Sequence, residues 1–394
     1  MMPVGLAYPL VAMFAVQVVA SLANFAVPVL ATEMSSDIGV AATYVGYYSA
    51  LVYTATMIAG LIAGSFIAGQ GAVRTAQLAL LSAVAGLLVA TLSTPLALGL
   101  AAVLIGACYG PVGPAGSHLL ARVTPPRWRP LVFSIKQTGV TAGGLLAGVL
   151  LPPAALLYGW QTALLLLGAI GLVAAFAVQP LRAGADADRE TGRRVSRRDL
   201  LASLGLAFGP SLRRITWNSV GFAISQSVLS AFFVVYLVSE LDLPLARAGL
   251  IFSVVQASGI VGRIAWGYFA ERRFSAQQIL ALLALVIAAS FVILPLLSPT
   301  TPLWVFLVFA AVLGASVYGW NGVMLAEWAA LAPEGRVAEA TGGVQFVMFG
   351  GSVAAPPIVG LVVAQTGGYT LAFAAVVAVA LSNCFMLLTG RRPG

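Results

Sequence analysis

The sequence predicts an all-α integral membrane protein of twelve transmembrane helices, arranged as two pseudo-symmetric six-helix halves. Three observations predict it: a composition too apolar for a water-soluble surface, about a dozen apolar runs of spanning length, and a repeat relating the first six runs to the last six. Hydrophobic residues fill 60% of the 394 positions and charged residues 8%, whereas a typical soluble domain is about half apolar and about a quarter charged. Cys108 and Cys384 lie far apart within apolar runs and read as packing residues, so neither a disulfide framework nor a thiolate metal site is suggested. The first run lacks a basic leader and an obvious A-x-A site before Glu33, which makes it a retained helix rather than a signal peptide.

A span needs roughly 20 mainly apolar residues. Runs of that kind lie near 8–32, 43–67, 76–93, 96–121, 132–157 and 160–180, and again near 216–239, 244–270, 275–297, 302–328, 338–364 and 369–390. An even count puts both termini on one side, and the connections then alternate. One face receives Arg74, Arg122, Arg127, Arg129, Arg272, Arg273, Arg336, Arg391 and Arg392, together with Arg182, Arg189, Arg193, Arg194, Arg197, Arg198, Arg213 and Arg214 of the middle loop. These are 17 of the 20 Lys and Arg, against Arg247 alone on the other face. The positive-inside rule therefore makes both termini cytoplasmic and points to a multi-pass protein of the cell inner membrane. The net charge of +8 would suggest nucleic acid in a soluble chain; here it is a topology signal, and no nucleic-acid partner is expected. Residues 1–181 form the N-terminal half, 182–214 a flexible cytoplasmic loop suited to an anionic lipid surface, and 215–394 the C-terminal half.

The repeat sets the register between the halves. A shift of 203 lays Ile58–Phe66 on Val261–Phe269, with Gly64 on Gly267 and Phe66 on Phe269. A shift of 208 lays Gly106 on Gly314, Gln137 on Gln345 and Gly143 on Gly351, pairing spans four and five with spans ten and eleven.

Two cations remain inside spans. Lys136, the sole lysine, lies in span five about 9 Å past Pro130; Arg263 lies in span eight about 12 Å before Glu271. Burying such a charge costs roughly 2.5–3.5 kcal/mol on insertion scales, a cost usually tolerated for a function. Gln256, Gly259, Arg263 and Gly267 recur at three- and four-residue steps, a small and polar stripe that suits a bundle interior. Lys136 and Gln137 lead a similar surface through Thr141, Gly143 and Gly144. By the repeat, Arg263 falls on Gly60 and Lys136 falls on or beside Gly343 and Val344, so each half offers one cation. A guanidinium forks onto a carboxylate and an ammonium acts as a point charge, so the pair suits a small anion with one or two acidic groups. The alternative is that each cation pairs with a buried acid or a helix-end carbonyl.

Among the acids, Glu327 alone lies within a span; it reads as a proton-coupling site or as a cytoplasmic-gate partner of Arg336 or Arg122. Glu271, Arg272 and Arg74 are further gating or coupling candidates at inner span ends. The remaining candidates to line a binding cavity are Asn24 with Gln17 and Ser21, Tyr53 with Thr56, Gln226 with Ser225 and Ser230, and Tyr318 and Asn321 with Trp320. Each alone is more often packing. His118 reads as an interfacial residue. No Cys/His cluster, nucleophile-and-base set or phosphate-cradling loop stands out, so no metal, cofactor or enzymatic reaction is expected.

Along its whole length the sequence resembles the major facilitator superfamily. The family's signature between spans two and three, roughly G-x-x-x-D-R-x-G-R-R, stands here as Gly64-Ser-Phe-Ile-Ala-Gly-Gln-Gly-Ala-Val-Arg74, with Ala68 in the acidic position. After span eight, Gly262-Arg263-Ile-Ala-Trp-Gly267-Tyr-Phe-Ala-Glu271-Arg272-Arg273 is similar to the string of the oxalate/formate antiporter and monocarboxylate transporter branch, where the embedded arginine binds a carboxylate. The eleventh-span lysine of the oxalate/formate antiporter is absent. Span four lacks an R-x-x-Q-G-like arginine and span five the G-P pair that drug/proton antiporters carry. The resemblance implies a monomeric secondary transporter that moves a small organic anion, a mono- or dicarboxylate, by alternating access. A proton or an exchange anion would drive it, as symporter or antiporter. A major facilitator exporter of drugs or amphipathic compounds is the alternative. A membrane-embedded sensor or structural protein needs neither two buried cations nor a repeat.

Overall fold

The computed structural model describes residues 6–187, 203–334 and 336–389. Among them, 12 helices are long and apolar enough to cross a membrane, one for each run expected from the sequence. The chain groups into two compact units: Met1–Ala41 with Leu51–Val195, and Ala42–Ala50 with Ser196–Gly394. Unit 1 is built on spans one (Ala7–Ile38), two (Val45–Gln70), three (Ala72–Ala90), four (Pro95–Val123), five (Arg129–Tyr158) and six (Trp160–Ala177). Span two begins in the segment grouped with unit 2. Unit 2 holds spans seven (Arg213–Ser239), eight (Leu245–Arg272), nine (Ala276–Ile293), ten (Leu303–Val317 and Trp320–Leu331), eleven (Val337–Thr366) and twelve (Thr370–Thr389).

The helices are apolar on both sides, as lipid requires. On span six, Ala163, Leu164, Leu167, Gly168 and Gly171 are buried, while Leu166, Ile170, Val173 and Phe176 point outward as an exposed apolar face. Local signals set the ends. Thr94 caps span four by accepting the Ala97 N–H at 3.2 Å, with Pro95 in the first turn. Left-handed Gly39 and Gly367 close spans one and eleven.

Within each unit the same packing recurs. Span one lies along span five and span seven along span eleven; span three packs on span six and span nine on span twelve. A Cβ on Gly106 would collide with the Val52 carbonyl oxygen of span two, and one on Gly314 with the Val255 carbonyl oxygen of span eight. Val52 and Val255 stand 203 residues apart, Gly106 and Gly314 stand 208 apart, so the two sequence shifts converge on one repeated crossing.

The described ends of the central segment are folded against neighbouring helices. At its start, Arg182–Ala185 is helical and Asp186 is only 2% exposed. The Asp186 carboxylate accepts the N–H groups of Val73 at 2.9 Å and Arg74 at 3.1 Å. Gly71 precedes them at φ +91, with the Asp186 side chain where a Cβ would stand. Arg122 donates to the Ala185 carbonyl at 2.7 Å. At its other end, a helical turn at 203–207 buries Ala207, whose carbonyl accepts from Thr216 at 2.8 Å. The physical reason is that the first N–H groups of a helix lack intrahelical acceptors and favour a carboxylate. Arg189, Arg193, Arg194, Arg197, Arg198, Arg391 and Arg392 lie outside the described residues.

Candidate functional site

Span ten, expected as one helix, stops at Val317 and restarts at Trp320. Two side chains of span eight occupy the carbonyls at the break. Trp266 Nε1 donates to the Ala315 carbonyl at 2.8 Å, and Arg263 Nε donates to the Tyr318 carbonyl at 3.0 Å. In an unbroken helix those carbonyls would accept the N–H groups of Gly319 and Gly322. Side chains inserted into that ladder are a recognised cause of a break. Asn321 Nδ2 adds a second, longer donor to the Tyr318 carbonyl at 3.3 Å.

The other end of Tyr318 is equally engaged. Its hydroxyl shares a 2.7 Å hydrogen bond with Ser230 of span seven and accepts from Gln256 Nε2 of span eight at 3.2 Å. Gln226 Oε1 accepts from both Trp320 Nε1 and Asn321 Nδ2 at 3.1 Å. Trp320 stacks on Phe222 with ring centroids 5.2 Å apart. Unit 2 thus brings Gln226, Gln256, Arg263, Tyr318 and Asn321, each a candidate from sequence, into one hydrogen-bonded network. One atom in it is unsatisfied: Gln256 is fully buried and its Oε1 has no partner among the described residues, a state that costs about 1–3 kcal/mol.

Unit 1 is arranged differently. Lys136 is buried, 3% exposed, and its Nζ donates to the Gly113 carbonyl at 2.7 Å and the Ser117 hydroxyl at 3.1 Å. Both acceptors lie on span four beside Pro114. Gly116 leaves space there, since a Cβ would come within 3.2 Å of Lys136 Cε. Among the described residues no carboxylate pairs with Lys136, so the ammonium is hydrogen-bonded without being neutralised. One turn along, Gly139 backs onto Gln17 of span one, a buried glutamine whose Oε1 also lacks a partner among the described residues. Asn24 is buried on span one, Tyr53 is half-buried on span two and Gln137 is exposed on span five. Asn24 shares no hydrogen bond with Lys136 among the described residues. Both cations donate to backbone carbonyls, in line with one of the alternatives the sequence left open.

Of the gating candidates, Glu327 is 6% exposed in the second helix of span ten. Its neighbour Trp328 donates to Ser219 at 3.0 Å. Arg272 is exposed, its guanidinium 5.0 Å over the Tyr268 ring. Arg74 contributes its backbone N–H to Asp186, and the Glu271 side chain lies outside what is described. Sequence reasoning missed Trp266, Ser117 and Asp186. Trp266 had a signal, standing three residues from Arg263 on the same polar stripe; the cap role of Asp186 had none, since the N–H groups it accepts are more than a hundred residues away.

The comparisons agree with this architecture. A family model described as Major Facilitator Superfamily matches residues 13–330. An uncharacterized MFS-type transporter of Mycobacterium tuberculosis, in two strains, is 26% identical over 297 residues. That match covers 75% of this chain but only 64% of the relative's length. Among solved structures, the nucleoside transporter NupG has a TM-score of 0.79 at 14% identity, covering 96% of this chain and 99% of its own. The peptide transporter POT reaches 0.78 at 16% identity, covering 98% and 94%. A bacterial homolog of the lysosomal transporter Spinster reaches 0.72 at 14% identity, covering 97% and 96%. At such identities the likeness concerns the fold. With the family match over most of its length and 12 apolar spans among the described residues, the chain belongs to the Major Facilitator Superfamily and is a multi-pass membrane protein.

Proposed function

We propose that this transporter moves a small organic anion, a mono- or dicarboxylate, across the inner membrane by alternating access, with Arg263 as the principal anion contact. The observation that carries the reading is a guanidinium inside a span, anchored through Nε on the Tyr318 carbonyl amid a polar network. A backbone carbonyl orients the guanidinium, whose planar fork of N–H donors suits a carboxylate. The span-eight string similar to the carboxylate-carrying branch supports the same substrate class. Lys136, hydrogen-bonded but not neutralised, is the candidate contact in unit 1. Both termini are taken to be cytoplasmic, a proton or exchange anion drives transport, and no chemical conversion accompanies it. Glu327 favours a second reading: a buried carboxylate in span ten suits export of a cationic or amphipathic compound.

Reconstituted vesicles offered a panel of carboxylates and of amphipathic cations separate the two. Uptake or exchange of a carboxylate is expected, weakened in Arg263→Lys, which keeps the charge but loses the fork, and abolished in Arg263→Gln. Wild-type uptake by a folded, well-inserted Arg263→Gln protein would reduce Arg263 to a prop for the break in span ten.

A further inference from the structure

We infer that the transported anion also carries a hydrogen-bond donor, a hydroxyl or amino group a few bonds from its carboxylate, and that Gln256 reads that donor. The inference rests on the anion reading and deepens it. Gln256 and Arg263 share span eight at a separation of seven residues, about 10 Å along the helix axis. Tyr318 bridges them, meeting Gln256 with its hydroxyl at 3.2 Å and Arg263 with its carbonyl at 3.0 Å. Within this cluster Gln226 Oε1 accepts twice, the Trp320 indole and the Asn321 amide donate, and the hydroxyls of Ser230 and Tyr318 pair. Gln256 Oε1 is the atom left over, buried with no donor among the described residues. An acceptor held out of water by a fixed amide, on the helix that carries the anion contact, matches a ligand that brings its own donor. A plain aliphatic acid brings none. Unit 1 holds a similar combination: buried Gln17, whose Oε1 has no partner among the described residues, packs its Cβ and Cγ against Gly139, one turn from Lys136.

The test uses the full-length protein in vesicles and matched acids: propionate against lactate and alanine, succinate against malate and aspartate. In the series it carries, wild-type protein is expected to favour a donor-bearing acid over its parent by about tenfold or more, since a site built to bind a donor rejects an analogue lacking it. Gln256→Met, close in volume but without the acceptor, is expected to bring that ratio within about threefold. If Gln256→Met does not fold, Tyr318→Phe releases the Gln256 amide from its anchor and is expected to shrink the same ratio. Equal handling of parent and donor-bearing acids by the wild type, or a ratio unchanged in the variants, overturns the inference and leaves the anion reading standing. Transport of none of these acids, with uptake of an amphipathic cation instead, overturns both.

Discussion

The two units place an intramembrane cation in different company, although they share one scaffold. In unit 2, span eight reaches into span ten, holds it open at Tyr318 and Gly319, and links five polar side chains around the break. In unit 1, Lys136 crosses to span four and settles on one carbonyl and one hydroxyl. Span four carries Pro111 and Pro114 yet runs unbroken from Pro95 to Val123. The helix with prolines stays whole and the one without them at its break divides, because inserted side chains, not ring chemistry, compete for the carbonyls of span ten. The contrast separates what the repeat preserves, backbone-on-backbone crossings, from what it leaves to diverge, the polar lining.

The largest effects should follow from disturbing what is shared. Gly106→Val and Gly314→Val each drive a branched side chain into a carbonyl of the neighbouring span. Overpacking against backbone, which cannot swing aside, is expected to cost about 3 kcal/mol or more. Both variants should be recovered poorly as a monodisperse species on size exclusion in detergent, and to a similar degree. Tolerance of one with collapse of the other would mean that the two crossings are alike in register only.

Divergent chemistry should yield smaller and unequal effects. Lys136→Met keeps the side-chain volume and removes the charge, so it should weaken apparent substrate affinity about tenfold, or about 1.4 kcal/mol, with little change in thermal stability. Arg263→Gln should cost more, because on the proposed reading it removes an anion contact as well as a support of span ten. If Lys136→Met lowers the melting temperature but leaves affinity alone, Lys136 is a strap between spans four and five, and the anion is held from unit 2.

Much of this was legible in the sequence, and the reason differs by feature. Spans, their number and the repeat could be read because lipid forces long apolar runs, and because Gly106 and Gly314 recur wherever backbones must touch. Arg263, Gln256 and Gln226 could be nominated because polar groups in spans are conspicuous against so apolar a background. The break in span ten could not, since no Pro marks it: it depends on Trp266 and Arg263 arriving from another helix. The partners of Lys136 were hidden for a similar reason, one being a backbone carbonyl that every residue possesses. Asp186 sat in a charged loop where nothing in the sequence set it apart from Asp188, Glu190 and Asp199.

The smallest effect concerns how each unit starts a corresponding helix. Span nine is capped locally: Ser275 accepts the Gln278 N–H at 3.2 Å while the Gln278 side chain accepts the Ser275 N–H at 2.9 Å. Span three has Gly71 in that role, which offers no side chain, and takes its cap from Asp186, 113 residues beyond Val73. Asp186→Ala leaves two N–H groups without their acceptor and should cost about 1 kcal/mol, within the usual range for loss of a cap. Asp186→Asn keeps an acceptor and loses the charge at the helix N-terminus, so its cost should be a few tenths of a kcal/mol and shrink as salt is raised. Ser275→Ala should match Asp186→Ala in size. It differs in reach, because the Ser275 cap closes one turn whereas Asp186 also pins the end of span six to the start of span three. Thermal shifts of the purified proteins, with limited proteolysis of the central segment, tell these apart: cleavage near residue 187 should quicken in Asp186→Ala and stay at the wild-type rate in Ser275→Ala. Equal cleavage in all three proteins would make the Asp186 contact incidental and return residues 182–187 to the loop.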